Sequence, residues 1–311
     1  MNFYGLSSKR RRDSGPTTWT QRTNPFSSSA WIDRVYHGNG KWVALSDSGG
    51  LATSSDGTTW TSRTSGFGTS TIRGGHYGNS LYVNVGSDGK LFTATDPTST
   101  WTSRTSSFGT NPIYSVFYDG STNWVIGGES GRVSTATDPT GTWTVRTQAS
   151  GVSTTYDIFY GNSIWVSVHD GSSSELVIST ASNPTSTWTK RVIGGSTGGT
   201  LYGICYGNSL WVAVGKDTSG NGLIYTATDP TGTWTSRTSG FGSNFIYKVA
   251  YGNGYFVAVG GGGKLATSSD GTTWTHQTSS FGTTNIYGIA YDNSSRWVAT
   301  AINGKIATSD V

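Results

Sequence analysis

The fold is decided by the stretch TSSDGTTWTSR at residues 53–63, a pattern typical of a strand end, an Asp-Gly turn and a second strand that begins at tryptophan. The pattern returns almost unchanged as TSSDGTTWTHQ at residues 267–277. Its tryptophan recurs at intervals of 40 to 46 residues, at Trp19, Trp60, Trp101, Trp143, Trp188, Trp234 and Trp274. Self-similarity at a fixed period of this length indicates a repeat architecture, so the sequence predicts seven structural units.

A second apolar series marks another strand in every unit. It comprises Trp42, Tyr82, Trp124, Trp165, Trp211, Phe256 and Trp297. In the sixth unit, four apolar runs at residues 246–251, 255–259, 264–267 and 273–275 are separated by turns that include Asn-Gly and Asp-Gly. These dipeptides supply the positive φ angles that tight hairpins require. The expected fold is all-β: a single seven-bladed β-propeller of four-stranded antiparallel blades.

The two ends of the sequence predict how the ring closes. The last unit stops at residues 302–311 without the strand that begins at tryptophan. The missing strand lies near the other end, at about residues 17–23, next to Trp19. An N-terminal strand that completes the C-terminal blade removes two exposed sheet edges. We therefore expect an arm at residues 1–15 and the propeller at residues 16–311.

The composition excludes several classes of protein. Charged residues make up 12% of the chain, against roughly 25% in a typical soluble domain. No apolar run approaches the ~20 residues that a membrane-spanning helix needs, and the first residues lack the apolar core of a signal peptide. Cys205 is the only cysteine, which excludes an intrachain disulfide. We expect a soluble protein without membrane insertion or export through a signal peptide.

Most of the net positive charge lies in the N-terminal arm. The formal net charge is +4, and Lys9, Arg10, Arg11 and Arg12 are consecutive. A basic run of this kind is usually a solvated tail, and the functional alternative is a docking contact. Because the rest of the chain is nearly neutral, we expect the arm to bind a partner protein and the propeller not to bind nucleic acid.

The hairpins at residues 53–63 and 267–277 resemble those of the Asp-box (BNR) propellers, whose pattern is Ser/Thr-x-Asp-x-Gly-x-Thr-Trp. That family includes sialidases, two-domain xyloglucanases, photosystem assembly factors, and phage and bacterial surface proteins. In the family the box is a structural turn remote from the active site. The resemblance therefore implies a structural role for Asp56, Trp60, Asp270 and Trp274, and the physical argument agrees, because turn aspartates bond nearby backbone amides.

The sequence argues against enzymatic activity. The sialidases that the hairpins resemble use an arginine triad and a tyrosine nucleophile paired with glutamate, but the only glutamates here are Glu129 and Glu175, in different units. The histidines show no metal-ligand spacing, so neither a metal nor another cofactor is expected. An arginine or Gln277 follows each repeat tryptophan by three residues. We expect these arginines to be surface cations that stack on neighbouring aromatic rings.

Departures from the repeat indicate where a ligand would bind. Units four and five have lengthened connectors between their second and third strands, on the face opposite the Asp-Gly turns and beside the long interblade loop at residues 193–200. Loops on a rigid scaffold often carry binding sites, although drift in a tolerant surface loop is an equally good interpretation. The candidate ligand residues are His169, Asp170, Glu175, Lys216, Asp217 and Asn221.

A second candidate site is the central channel. Charged residues replace the usual tyrosine or glycine in several first strands, at Asp33, Arg34, Arg73, Asp157 and Lys248. The alternative interpretation is an ordinary solvated channel lining, which the sequence favours.

The leading functional hypothesis is a non-enzymatic structural or adhesion protein of a bacteriophage virion. It would be mounted on tail or capsid through its arm, after synthesis in the host cytoplasm. Low-charge repeats, the basic arm and the missing signal peptide motivate this hypothesis, and the resemblance to phage Asp-box proteins adds fold-level support. The alternative is a carbohydrate-binding propeller that recognises host-surface glycan. An Asp-box glycoside hydrolase is the third and weakest hypothesis.

Overall fold

The computed structural model describes residues 15–148, 151–172, 174–194 and 198–311. The predicted docking residues Lys9, Arg10, Arg11 and Arg12 lie outside this part of the chain. Gly15, which we assigned to the arm, is buried beside the ring of Tyr255, and a Cβ at this position would lie 2.6 Å from the ring. The body of the propeller therefore includes residue 15.

The described residues form 28 strands, here numbered in chain order. The first is β1 (Thr20–Arg22). Blade 1 comprises β2 (Ile32–Gly38), β3 (Lys41–Ser46), β4 (Leu51–Ser54) and β5 (Thr61–Arg63). Blade 2 comprises β6 (Ile72–Gly78), β7 (Leu81–Gly86), β8 (Leu91–Ala94) and β9 (Thr102–Arg104). Blade 3 comprises β10 (Ile113–Tyr118), β11 (Trp124–Gly128), β12 (Val133–Ala136) and β13 (Thr144–Arg146). Blades 4 and 5 comprise β14 (Thr155–Gly161), β15 (Ile164–His169), β16 (Leu176–Ala181) and β17 (Thr189–Ile193); and β18 (Gly199–Gly207), β19 (Leu210–Asp217), β20 (Gly222–Ala227) and β21 (Thr235–Arg237). Blade 6 comprises β22 (Ile246–Gly252), β23 (Tyr255–Gly260), β24 (Leu265–Ser268) and β25 (Thr275–Gln277), and the last three strands are β26 (Ile286–Tyr291), β27 (Arg296–Ala301) and β28 (Ile306–Asp310).

These strands form seven four-stranded antiparallel sheets, which confirms the predicted seven-bladed propeller. The first strand of each blade contacts the first strands of both neighbouring blades, so the seven first strands surround a central channel. Blade 7 has the strand order β1-β28-β27-β26, with Thr20 opposite Thr308. The N-terminal strand therefore closes the ring, as the sequence predicts.

Apolar side chains between adjacent blades hold the ring together. Phe67 is fully buried in a cluster that joins Leu45 of blade 1 to Tyr82 of blade 2. At the ring closure, Trp19 is 6% exposed and packs in the cluster that contains Trp297. Burial of a large aromatic side chain contributes about 1.5–3 kcal/mol, so each interface between blades adds to the stability of the whole ring.

Turn chemistry explains the regular hairpins. Asn39 and Gly40, between β2 and β3, have φ angles of +47° and +69°, which two-residue hairpins of the primed type require. The connector between the second and third strands of blades 1, 2, 3 and 6 is a short 3-10 turn, at Asp47–Gly49, Ser87–Gly89, Glu129–Gly131 and Gly261–Gly263. No helix among the described residues is long and apolar enough to cross a membrane.

Hydrogen bonds show which connectors share a face. The backbone N–H of Asp47, between β3 and β4, donates to the carbonyl of Trp31, just before β2. The second-to-third connectors therefore lie at the same end of the channel as the interblade connectors, as expected. We call this end of the channel the mouth. The Asp-Gly turns, which join the third and fourth strands, lie at the opposite end.

Candidate functional site

A β-bulge near the start of every inner strand builds the mouth. In all seven inner strands the pairing register shifts around one residue: between the first and third residues in six strands, for example Ile32 and Arg34, and between Leu201 and Gly203 in β18. Such bulges re-aim a side chain and are common beside functional sites. The seven bulged residues all line one cavity of about 480 Å³, and they are Asp33, Arg73, Tyr114, Tyr156, Tyr202, Tyr247 and Tyr287.

Five of these residues form an arc of tyrosines across blades 3 to 7. The ring centroids of neighbouring tyrosines are 4.4 to 5.9 Å apart. Trp31 extends the arc, since its ring stacks on Tyr287 at 6.2 Å. Trp31 is 51% exposed, whereas the tryptophans of the described hydrophobic core are at most 9% exposed. The arc therefore presents a continuous aromatic surface to solvent, and we call these six residues the aromatic arc.

Three hydroxyl groups of the arc, those of Tyr156, Tyr202 and Tyr247, stay protonated at neutral pH. Burial raises the pKa of Tyr156, Tyr202 and Tyr247 above the usual range. A protonated phenol can both donate and accept a hydrogen bond. The arc consequently combines apolar ring surface with polar groups that suit a ligand bearing several hydroxyls.

Blades 1 and 2 interrupt the arc with opposite charges. The guanidinium of Arg73 lies 5.1 Å from the ring centroid of Tyr114, and its Nε donates to Ser87 Oγ at 3.2 Å. Burial raises the pKa of Asp33 to about 6, although the nearby guanidinium groups of Arg73 and Arg34 oppose this rise. The mouth is therefore aromatic on five blades and ionic on two.

A charged layer forms the floor of the mouth. Asp157 is 4% exposed and accepts hydrogen bonds from Lys248 Nζ at 2.5 Å, from the backbone N–H of Ile204 at 3.1 Å and from Ser115 Oγ at 3.2 Å. The four residues belong to blades 3, 4, 5 and 6. One carboxylate thus connects four blades. Burial lowers the pKa of Lys248 to about 8, and the attraction of Asp157 only partly offsets this effect.

Arg34 completes the charged layer. Its Nε donates to the carbonyl of Arg73 at 3.1 Å, and its guanidinium reaches the carbonyl of Tyr156, which belongs to blade 4, at 3.5 Å. Arg34 belongs to blade 1, so its side chain extends across the channel. Arg34 lines both the mouth cavity and a second cavity beyond it, and Asp157 and Lys248 line the second cavity.

The lengthened loops of blades 4 and 5 meet as expected. Asp170 forms a bridge with Thr200, and Gly199 and Thr200 pair with Asp217 and Lys216. We call residues 170–175, 193–200 and 215–222 the loop sector. A cavity of about 440 Å³ lies against its blade 4 loop, but the residues that line it include no aromatic ring.

His169 requires a correction. Its side chain is fully buried, and its ring nitrogens contact Thr155 Oγ1 at 3.2 Å and Ser167 Oγ at 3.0 Å. Because the residue ends β15 and points into the blade, it cannot contact a ligand in the loop sector. Burial lowers its pKa to about 3, so the ring is neutral at pH 7.

The other predicted loop residues use their polar groups locally. Glu175 accepts a hydrogen bond from Lys190 at 2.8 Å, and Asp170 accepts one from Thr200 at 2.6 Å. Asp217 accepts the backbone N–H of Asn221 at 2.7 Å. Lys216 Nζ lies 4.4 Å from the ring centroid of Phe245, which itself lines the mouth. Lys216 therefore links the loop sector to the mouth.

The Asp-Gly turns lie away from the mouth and satisfy their own polar groups. Asp56 Oδ1 accepts the backbone N–H groups of Thr58 and Thr59 at 2.8 and 2.9 Å. Trp60 Nε1 donates to the Gly57 carbonyl at 2.9 Å. In the other copy, Asp270 Oδ1 accepts the backbone N–H groups of residues 272 and 273, and Trp274 Nε1 donates to the carbonyl of residue 271.

We expected the repeat arginines to stack on neighbouring aromatic rings, and this expectation is wrong. Their Nε atoms donate to a threonine hydroxyl on the neighbouring third strand, as Arg63 does to Thr53 at 3.0 Å. The same bond recurs in six blades, and Gln277 makes it to Thr267 in the seventh. Among the described residues, the cations that lie over aromatic rings are Arg73, Arg132 and Lys216. The repeat arginines therefore bridge the two outer strands of each blade.

Sequence reasoning identified the charged channel residues but missed the aromatic arc. A usable indication was present, because Trp31 is the one tryptophan that belongs to neither repeat series. The five tyrosines escaped attention because they recur like scaffold positions. Within the described ranges, no group of three or more His, Cys, Asp and Glu side chains could hold a metal ion.

The fold and this site define the molecule as a closed seven-bladed β-propeller with an aromatic channel mouth. A family model described as the DUF6242 beta propeller domain matches residues 5–149, and the chain is similar to that family over those residues. No curated protein matches the chain.

Several solved structures are similar along almost the whole chain. YCF48 bound to D1 peptide is 16% identical, with a TM-score of 0.73, and the alignment covers 96% of each chain. YCF48 from Cyanidioschyzon merolae is 15% identical, with a TM-score of 0.73, and the alignment covers 94% of this chain and 98% of that one. Selenomethionine-substituted virginiamycin B lyase from Staphylococcus aureus is 11% identical, with a TM-score of 0.80 and coverage of 94% and 99%. At these identities the likeness shows the fold alone.

Proposed function

We propose that this protein is a non-enzymatic recognition propeller that binds carbohydrate in the channel mouth. The aromatic arc is the observation that carries the proposal. Tyrosine and tryptophan offer large rigid surfaces at a low cost in conformational entropy, and the C–H faces of a sugar ring pack well against such surfaces. The adjacent Asp33 and Arg73 supply hydrogen-bonding groups that would orient the sugar hydroxyls.

Exposure and rigidity both support this assignment. Contiguous exposed apolar patches mark interaction sites, and Trp31, 51% exposed, continues the row of five partly exposed tyrosines. The five tyrosines of the arc stand at bulges in paired strands, so their positions are fixed before a ligand arrives. Such preorganisation lowers the entropic cost of binding.

A glycan array with the full chain tests the proposal, followed by titration of the best glycan. Replacing Trp31 by Ala is expected to weaken binding roughly 10- to 30-fold, because loss of a central aromatic anchor costs about 1.4–2 kcal/mol. Val145→Ala is the matched control, since Val145 is 52% exposed on the outer strand of blade 3. Absence of binding to any glycan, or equal binding by both variants, would refute the proposal.

We further propose that the propeller is a structural or adhesion component of a bacteriophage particle, synthesised in the host cytoplasm and mounted on tail or capsid. Support comes from the sequence: the basic run at residues 9–12, the low content of charge and the resemblance of the Asp-Gly hairpins to the Asp-box type. The arm would contact another virion protein, while the mouth recognises host-surface glycan. The nearly neutral propeller offers little attraction to nucleic acid.

Deletion of residues 1–14 tests the mounting role. The deletion is expected to abolish incorporation into particles while the propeller still folds, because Gly15 and the closing strand β1 remain. A variant with residues 9–12 replaced by serine separates the role of charge from that of length. Normal incorporation of both variants would contradict the docking role.

The absence of catalysis is part of the proposal. Glu175 is engaged by Lys190, and Glu129 begins a 3-10 turn in a different blade, so the two glutamates do not form a catalytic pair. A similar fold occurs in virginiamycin B lyase, but that activity is a property of the named enzyme. Release of free sugar from a bound glycan, lost in the Glu175→Gln variant, would overturn this part of the proposal.

A further inference from the structure

A second cavity of about 310 Å³ lies on the far side of the charged layer. Arg34, Asp157 and Lys248 line its inner end, and the exposed Asn293 lines its outer end, near the turns between first and second strands. We call it the lower cavity. Its volume is at the small end of the range of ligand pockets, which is about 300–1,000 Å³.

The walls of the lower cavity are asymmetric. On one side His76, Phe117 and Phe159 stand next to one another, with centroid distances of 4.4 and 4.6 Å. The equivalent positions of blades 5 to 7 hold the small residues Cys205, Ala250 and Ala290. This replacement of aromatic by small side chains leaves space opposite the three rings. Neighbouring rings are tilted by 35° and 42°, so they form a curved aromatic wall against which one face of a planar ring can pack.

The aromatic wall is uncharged at neutral pH. Burial lowers the pKa of His76 to about 4, and the positive charge of Lys248 contributes in the same direction. Burial also raises the pKa of the Cys205 thiol well above its usual range, so this side chain is neutral as well. The formal charges that line the lower cavity are therefore confined to its inner end.

That inner end carries an excess of positive charge. Two cations, Arg34 and Lys248, face a single carboxylate, Asp157. Asp157 is already engaged by Lys248, Ser115 and the backbone of Ile204. The described hydrogen bonds of the Arg34 side chain go to backbone carbonyls, which carry no formal charge. The other ionic groups of the channel, Asp33, Asp47 and Arg73, line the mouth, which Arg34 also lines and where its guanidinium attracts the Asp33 carboxylate.

We propose that the lower cavity binds a small planar aromatic monocarboxylate. Its ring lies against the wall of His76, Phe117 and Phe159 and over Ala250 and Ala290. Its carboxylate points toward Lys248 and Arg34 and balances the excess cation. This site is separate from the mouth, so the proposal does not depend on carbohydrate binding.

Calorimetric titration of the full chain with 2-naphthoate and with the neutral 2-naphthamide tests the proposal. The two probes have nearly the same shape, so a difference in affinity reports the carboxylate. Naphthoate is expected to bind at least roughly 10-fold more tightly, because a charge-assisted hydrogen bond is roughly twice as strong as a neutral one. Equal binding of acid and amide, or no binding of naphthoate at millimolar concentration, overturns the proposal.

Two variants locate the site. Ala290→Leu fills the space opposite the rings and is expected to abolish naphthoate binding, whereas Val145→Leu adds bulk on the outer surface of blade 3 and is expected to leave the affinity unchanged. Lys248→Met is expected to weaken naphthoate binding roughly 10-fold and to leave naphthamide binding unaltered. Because the comparison of acid with amide needs no variant, it remains decisive if Lys248→Met does not fold. Unchanged naphthoate binding by Ala290→Leu places the ligand elsewhere and refutes the proposed site.

Discussion

Replacing Asp157 by Asn is the strongest test of how the ring is held at its centre. The substitution keeps the size of the side chain but removes the negative charge beside Lys248 and Arg34. Lys248 Nζ and the backbone N–H of Ile204 both donate to Oδ2 of Asp157, so the amide oxygen of Asn can accept both bonds, while its nitrogen replaces the Oδ1 that accepts from Ser115 Oγ. Because the hydroxyl of Ser115 can turn to accept a hydrogen bond, the main change in the variant is a Lys248 cation without its counter-charge in the channel.

The magnitude follows from burial. Removing one partner of a buried ion pair costs about 3–5 kcal/mol. The lower end applies here, because the Lys248 side chain is 19% exposed to the channel. For a chain of 311 residues, an unfolding entropy of about 2.1 cal/mol/K per residue sums to about 0.65 kcal/mol/K, so a loss of ~3 kcal/mol lowers Tm by about 5 °C.

Urea denaturation and calorimetry at pH 7 measure this loss. A Lys248→Met substitution in the Asp157→Asn background removes the unpaired cation, so a double-mutant cycle is expected to give a coupling energy of about 2 kcal/mol. Glu175→Gln is the matched control, because the Glu175–Lys190 pair has a contact of 2.8 Å but leaves the carboxylate 38% exposed; its loss is expected to cost less than about 1 kcal/mol. If Asp157→Asn lowers Tm no more than Glu175→Gln does, the carboxylate does not hold the blades together.

Three further predictions concern pH and ring closure. Hydrogen bonds hold the pKa of Asp56 and Asp270 well below the usual value of 3.8. The two carboxylates therefore stabilise the folded state above about pH 4, and this contribution is lost on further acidification. In a double variant with Asp56→Asn and Asp270→Asn, Tm is expected to fall less steeply as the pH is lowered. Burial lowers the pKa of His169 from 6.5 to about 3, so the unfolded chain binds a proton that the folded chain excludes, and stability falls as pH drops below about 6.5. His169→Gln is expected to remove about 1.4 kcal/mol per pH unit from this slope in urea titrations between about pH 6 and 4. An unchanged slope would contradict the assignment. Trp19→Ala is expected to lower the free energy of unfolding in urea by about 3–5 kcal/mol, as much as Trp101→Ala, because both indole rings are buried between blades. A loss below about 1 kcal/mol for Trp19→Ala alone would indicate that the propeller is not closed at this blade.

Both channel cavities owe their asymmetry to residues that depart from the repeat. The repeat fixes the scaffold, and exceptions at single positions of the inner strand create the sites. In the mouth, Asp33 and Arg73 replace two of seven possible tyrosines. In the lower cavity, Ala250 and Ala290 stand where Phe117 and Phe159 stand in other blades. These exceptions break the sevenfold symmetry of the inner strands.

The loop sector illustrates a limit of reasoning from the repeat alone. The lengthened connectors do meet beside the interblade loop, as the strand order predicts. His169, however, belongs to the end of β15 and is buried, which only the true strand boundary reveals. The repeat arginines show the same limit, because their spacing gives their position but not their threonine partner on the adjacent strand.

The sequence by itself determined the number of blades, the four strands in each and the closure of the ring by β1. These features depend on local chemistry: alternating apolar residues, Asn-Gly and Asp-Gly turns, and a tryptophan at a fixed period. Only the tertiary structure decided where the sites lie. The contact between Lys248 and Asp157 joins residues 91 positions apart, and that between Arg34 and the Tyr156 carbonyl joins residues 122 positions apart. Such contacts depend on the bulges that turn the inner side chains toward the axis and on the closure of the ring, so residues of distant repeats meet only when all seven blades are in place.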